Sequence, residues 1–204
     1  MTQRKRSAEH YFAALPTSEA KLGLIRTNLR GTTFEFLTAS SVFSKKRVDT
    51  GTRLLIENMK LPNKGCVLDV GCGYGAVGIA AAALNPQLHV VMTDVNRRAV
   101  LLAKQNAERN HARNVEVHQG NLYQPVQNQR FDCILSNPPV SAGMETVKAI
   151  ITEAPKVMTN KATFQMVVRS KIGGKTLPPF FNEAFGNSAV LARESGYRVL
   201  MGEK

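Results

Sequence analysis

Hydrophobic runs too short for helices alternate along this chain with longer amphipathic stretches, beginning at residue 66. Cys66–Val70, His89–Asp94, Val115–His118 and Phe131–Ser136 are compact apolar runs of strand length. Between them, Ala76–Leu84 is rich in alanine, and residues 96–110 place Val100, Leu101, Ala103 and Ala107 on an expected apolar helix face. A helix over Met144–Val157 follows, which Pro155 should bend or shorten. Ala162–Arg169 reads as a fifth strand, and Leu177–Phe185 as a helix entered through Pro178-Pro179. Runs at 190–193 and 197–201 flank Glu194-Ser195-Gly196 and predict a closing antiparallel hairpin. The alternation predicts an α/β chain built on a mostly parallel sheet with helices on both faces. Ligands of such sheets lie beyond the carboxyl ends of the strands. Asp69, Asp94, Gly120-Asn121, Ser136-Asn137 and Arg169 fall at those ends and should share one crevice.

Ahead of this alternation, Leu22–Leu37 holds two strand-like runs about Arg30-Gly31, a hairpin, and Asp49–Met59 reads as a helix capped by Asp49. Residues 1–20 are polar and basic without a period and should form a loosely docked arm. The chain thus divides into an N-terminal arm, hairpin and capping helix over 1–60, and a ligand-binding α/β domain over 61–204.

The 204 residues are enough for one domain with a full core. No apolar run approaches a membrane span, and the start lacks the apolar centre of a signal peptide. Cys66, Cys72 and Cys133 are an odd number without a Cys-x-x-Cys pair, and no His cluster completes a metal site; they read as thiols of a cytoplasmic protein that needs no metal. The net charge of +12 draws such a chain toward polyanions, nucleic acid first among them. Its basic clusters are Arg4-Lys5-Arg6, Lys45-Lys46-Arg47, Arg97-Arg98, and Arg169-Ser170-Lys171 with Lys175.

Two motifs carry candidate chemistry. Gly73-x-Gly75-x-x-Gly78 matches the dinucleotide fingerprint, with Asp94 at the end of the next strand, so an NAD-dependent oxidoreductase competes. Asp69 ahead of the loop opposes a pyrophosphate but suits a ligand bearing an ammonium and a sulfonium, and Gly71 extends the glycine run upstream. Asp-x-Gly-x-Gly-x-Gly is the loop expected for S-adenosylmethionine. Asp94 can accept both ribose hydroxyls, or cap a helix; Asn121 with Leu122 can meet an adenine, or form a turn. The second motif is Ser136-Asn137-Pro138-Pro139-Val140. A strand ending in Asn before two prolines presents a side-chain carbonyl beside backbone carbonyls that no helix captures, a grip for an exocyclic amine.

Together these segments resemble class I S-adenosylmethionine-dependent methyltransferases, and more narrowly the single-domain members of the small-subunit ribosomal RNA guanine-N2 methyltransferase family. The resemblance covers about 22–202. It rests on Val42-Phe43-Ser44-Lys45, Val48-Asp49-x-Gly51-Thr52, Leu68 through Gly75, Asp94-Val95-Asn96-x-Arg98-Ala99-Val100, Ser136-Asn137-Pro138-Pro139 and Gly196-Tyr197-Arg198-Val199-Leu200. It implies a Rossmann-like seven-stranded fold and methyl transfer to the N2 amine of guanosine. Related Asn-Pro-Pro sequences modify protein glutamine or DNA adenine instead, and a non-catalytic RNA-binding module is a further alternative. The implied catalytic residues are Asn137, Pro138 and Pro139. The implied cofactor set is Asp69, Gly71, Cys72, Gly73, Gly75, Asp94, Val95, Asn121, Leu122 and Asn137. Substrate contacts are expected from Phe43, Lys45, Val140, Arg169 and Lys171; because Val140 has no aromatic face, Phe43 is the candidate stacking partner, or else a core residue. The implied partner is ribosomal RNA or the small ribosomal subunit, met by a monomer or homodimer.

Overall fold

A computed structural model describes residues 22–39, 42, 47–138 and 143–204, with 172 and 173 by backbone alone. The hairpin is β1 (Leu22–Leu29) and β2 (Thr32–Ala39), followed by α1 (Thr50–Asn58). The alternating region is β3 (Gly65–Val70), α2 (Ala76–Leu84), β4 (Leu88–Asp94), α3 (Arg97–Arg109), β5 (Val115–Gln119), β6 (Phe131–Ser136) and α4 (Met144–Glu153). It closes with β7 (Met158–Arg169), α5 (Ser170–Gly173), α6 (Pro178–Phe185), β8 (Ala189–Glu194) and β9 (Tyr197–Glu203). Seven strands form one sheet in the order β5-β4-β3-β6-β7-β9-β8, parallel except for the pairings of β9 with β7 and β8.

Strand alternation divides the interior into two cores. Val67, Val90, Met92, Cys133 and Leu135 face α1, α2, α3 and the hairpin, while Leu68, Val91 and Ile134 face α4 and α6. These central strands are buried on both faces, which is why they read as continuous apolar runs.

The hairpin docks through side chains that imitate a neighbouring strand. Asn106 accepts from the Leu37 N–H at 2.6 Å and donates to the Leu37 carbonyl at 2.9 Å. One turn on, Asn110 accepts from the Glu35 N–H at 3.0 Å and donates to the Glu35 carbonyl at 2.8 Å. The β2 edge is thereby satisfied without a further strand. Asn106 also donates to the Tyr74 carbonyl at 2.8 Å, tying the hairpin to the glycine loop.

Two expectations are corrected. Leu101 was expected on the buried face of α3; it is 53% exposed, and Leu102 points inward at 3%. Asn106 belongs to the buried face, which shifts its centre away from Leu101 and toward Ala99 and Leu102. The fifth strand of the alternation starts at Met158, not Ala162. Polar Thr159-Asn160-Lys161 hid that start, and a register shift lies between Phe131 and Cys133 on the partner strand, with Lys161 at φ 64°. The helix from Met144 ends at Glu153 and continues as a 3-10 turn holding Pro155, as the proline foretold.

Candidate active site

The glycine loop and the ends of β4, β5 and β6 surround a cavity of about 300 Å³. Gly71, Gly73 and Gly75 take φ of 71°, 57° and 92°, a left-handed conformation that side chains resist. The loop therefore folds back on β4, where the N–H groups of Gly71 and Cys72 donate to the Thr93 carbonyl at 2.9 and 3.0 Å. The Gly73 N–H donates to Asp94 Oδ2 at 2.8 Å, and Asp94 Oδ1 accepts from the Asn96 N–H at 2.8 Å. Asn96, not Asp94, caps α3. With one of these donors on each oxygen, Asp94 retains lone pairs for two hydroxyls. Burial pushes its carboxyl up from the ordinary value, and the Asn96 and Gly73 donors moderate that rise.

Asp69 forms the floor. It is 1% exposed and accepts from the Gly78 N–H at 2.9 Å. Burial pushes its carboxyl up to about 7; the Gly78 donor works against this and the charge of Asp94 adds to it. A buried carboxylate in that state is stabilised by an arriving cation. The Gly78 bond depends on a close approach of α2 to β4, since a Cβ at Gly78 would lie 2.5 Å from Met92 Sδ. Cys72 beside it is a neutral thiol, pushed well up by burial and then by the charges of Asp94 and Asp69.

The far wall comes from the β5 end. The Gly120 N–H donates to the Asp94 carbonyl at 3.0 Å, and Thr93 Oγ1 donates to the Leu122 carbonyl at 3.1 Å. Leu122 holds φ 47°, a strain of about 1–3 kcal/mol for a side-chain-bearing residue. The remaining wall is the end of β6. Its last paired residue with β3 is Leu135, and beyond it Ser136 Oγ donates to the Val70 carbonyl at 3.0 Å, holding the two strand ends together. Asn137 follows, half-buried, with Pro138 buried beside it.

Of the residues expected to meet a cofactor, Asp69, Gly71, Cys72, Gly73, Asp94, Val95, Asn121, Leu122 and Asn137 all line this cavity, as does Pro138. Gly75 is outside the lining: its N–H donates to the Cys72 carbonyl at 2.9 Å, and a Cβ there would meet Ile79 Cδ1 at 2.9 Å. Arg169 ends β7 outside the lining, with its guanidinium 5.6 Å from the Tyr197 ring centroid, and Lys171 is exposed on α5. Phe43, Lys45, Pro139 and Val140 lie outside the described residues. Other lining residues include Thr52 and Tyr74, which stand in segments that carry the resemblance but were given no site role, and Thr146 and Ile150, which the sequence did not single out. Thr52 had a signal, because it stands three residues after the Asp49 cap; Thr146 and Ile150 are one turn apart on α4, a spacing that reads equally as core. Among the described residues no group of three or more His, Cys, Asp or Glu is placed to hold a metal ion, and no helix is long and apolar enough to cross a membrane.

This sheet order, with the glycine loop after its first parallel strand and an acidic residue closing the next, defines the class I S-adenosylmethionine-dependent methyltransferases. Within that class, the Methyltransferase small domain model matches residues 33–201, and the chain belongs to this family. Membership sets aside the oxidoreductase reading of the glycine loop. The chain is 36% identical over 199 residues to the uncharacterized protein YbxB of Bacillus subtilis (strain 168), covering 97% of this chain and 99% of that one. It is 31% identical over 166 residues to ribosomal RNA small subunit methyltransferase C of Hamiltonella defensa subsp. Acyrthosiphon pisum (strain 5AT), covering 79% of this chain but 48% of the relative. Among solved structures, the T. thermophilus 16S rRNA N2 methyltransferase RsmC, in complex with AdoMet and guanosine, superimposes with a TM-score of 0.81 at 24% identity. It covers 93% of this chain and 52% of that one. The chain thus spans about half the length of the methyltransferase C relatives it matches.

Proposed function

We propose that the chain methylates the exocyclic N2 amine of guanosine in small-subunit ribosomal RNA. The observation that carries this reading is the juxtaposition of Asn137 and Pro138 with Asp69, Asp94 and the glycine loop around one cavity. The names of the methyltransferase C relatives supply the polymer, and the charge of +12 suits it.

The donor set fits S-adenosylmethionine. Asp69, a desolvated carboxylate, would face its cationic end, with Gly71 and Gly73 allowing close backbone approach. Asp94 would take the ribose hydroxyls on its free lone pairs, and Val95, Asn121 and Leu122 would enclose the adenine. When bound, the cofactor supplies an electrophilic methyl group on a positively charged sulfur. Guanine's N2 is a poor nucleophile because its lone pair is delocalised into the ring. The Asn137 side-chain carbonyl and the Pro138 backbone carbonyl would each accept one amine hydrogen, turning the nitrogen toward a tetrahedral shape and aiming its lone pair. Their dipoles face the positive charge that develops on nitrogen, so the contribution is positioning and electrostatic stabilisation. The resulting ammonium is acidic and releases its proton to water, so no side chain is assigned as general base. Arg169 and Lys171 would contact phosphates outside the cavity of a catalytic domain spanning 61–204, with any further RNA recognition supplied by the N-terminal part of the chain or by a second subunit.

Tritiated methyl transfer onto small ribosomal subunits and onto naked small-subunit RNA, both lacking guanine N2 methylation, followed by nucleoside analysis, tests the reading. N2-methylguanosine in either arm is expected. Label only in protein glutamine or in adenine would overturn it.

A further inference from the structure

The segment Val48-Asp49-x-Gly51-Thr52 has no role in the scheme above, yet it begins α1 directly behind Asn137. The Asn137 Nδ2 group donates to Thr52 Oγ1 at 2.8 Å and stands 3.4 Å from each carboxylate oxygen of Asp49. We infer that Thr52 and Asp49 form a clamp that fixes which end of the Asn137 amide faces the reacting amine.

The two ends of a side-chain amide have nearly the same shape and opposite hydrogen-bonding sense. Half a turn about the last side-chain bond would offer the substrate amine an NH2 group, donor against donor, and the grip would fail. The Asp49 carboxylate accepts only, so the end beside it must be the NH2 end; Thr52 Oγ1 accepts from the same group. The carbonyl is then the end left to the cavity, which both Asn137 and Thr52 line. The clamp is itself anchored. Asp49 caps α1, its Oδ1 accepting from the N–H groups of Gly51 and Thr52 at 3.0 and 3.1 Å. Gly51 suits this crowded turn because a Cβ there would lie 3.1 Å from both Asp49 Oδ1 and the Tyr197 ring. The cap, the glycine and the threonine thus act as one device. Thr52 and Asp49 are positioning residues that work through Asn137, and this rests on the reading of Asn137 as an amine acceptor.

The test compares wild type with Thr52→Val, which removes the hydroxyl at constant shape, with Thr52→Ser, which keeps it, and with Asn137→Ala. Asparagine-selective 15N labelling identifies the Asn137 side-chain NH2 by its absence from the Asn137→Ala spectrum. In wild type its protons should exchange with water about tenfold more slowly than in Thr52→Val, with Thr52→Ser close to wild type. Equal exchange in wild type and Thr52→Val overturns the clamp whatever the substrate. On small-subunit RNA lacking guanine N2 methylation, Thr52→Val should lower kcat about tenfold or more, equivalent to about 1.4 kcal/mol. KM for RNA and Kd for S-adenosylmethionine should stay within twofold, and Thr52→Ser should recover most of kcat. An inactive Asn137→Ala beside a fully active Thr52→Val overturns the clamp alone. A fully active Asn137→Ala overturns both the clamp and the amine-acceptor reading.

Discussion

Replacing Asp69 with Asn should separate cofactor affinity from stability. Burial raises this carboxyl from 3.8 to about 7, so across that window the folded chain holds the proton more tightly than the unfolded chain does. Its stabilising contribution is complete below pH 3.8 and is lost as the pH rises through 7. At pH 8 the ionised group sits desolvated, and a difference of about 3 pH units corresponds to at most roughly 4 kcal/mol. Asparagine keeps the shape and the acceptor for the Gly78 N–H while removing the charge. If 1–2 kcal/mol of the upper bound is realised, Tm of the cofactor-free Asp69→Asn protein at pH 8 should exceed wild type by about 2–8 °C. Affinity should move the other way, since an ammonium and a sulfonium lose their counter-charge, and S-adenosylmethionine should bind at least about tenfold more weakly. Binding to wild type at pH 6, below the raised value of about 7, should release most of a proton as Asp69 ionises, while the ligand's own amine stays charged. Titration calorimetry in buffers of different ionisation enthalpy reads that proton directly, and Asp69→Asn should release none. A lower Tm in the variant, unchanged affinity, or no proton released by wild type would refute the reasoning.

Asp94→Ala would remove the two proposed charge-assisted ribose contacts, about 1.5–3 kcal/mol each, and the acceptor for the Gly73 N–H, so Kd for S-adenosylmethionine should rise at least about a hundredfold; less than a threefold rise by calorimetry counts against the ribose role. Gly78→Ala forces a methyl group to within 2.5 Å of Met92 Sδ and should destabilise the fold by about 1–3 kcal/mol in urea unfolding, an unmoved midpoint being the contrary result. RNA affinity should fall steeply with salt, and Arg169→Ala and Lys171→Ala should each lower the slope of log affinity against log salt by about 1; a flat dependence in wild type argues against phosphate contacts there.

The elements were largely legible because their causes are local. Central strands buried on both faces produce uninterrupted apolar runs, and Pro155 ends a helix wherever it falls. Boundaries failed where a polar residue served a tertiary purpose. Asn106 turned the expected face of α3, and Thr159 helped mask the start of β7, because Leu37 and Tyr74 satisfy the first and Asp132 the second, all remote in sequence.

For the site, the chain by itself determined the glycine loop, the acidic strand ends and the Asn-Pro pair, since each lies within a few residues of a recognisable strand end. Tertiary structure alone decided what flanks them. Thr52 meets Asn137 across 85 residues of sequence, and Asp49 across 88. The raised carboxyl of Asp69 likewise depends on burial beneath α2. Such contacts depend on the order in which strands pair and helices fold back over them. That order arises only when the whole sheet assembles.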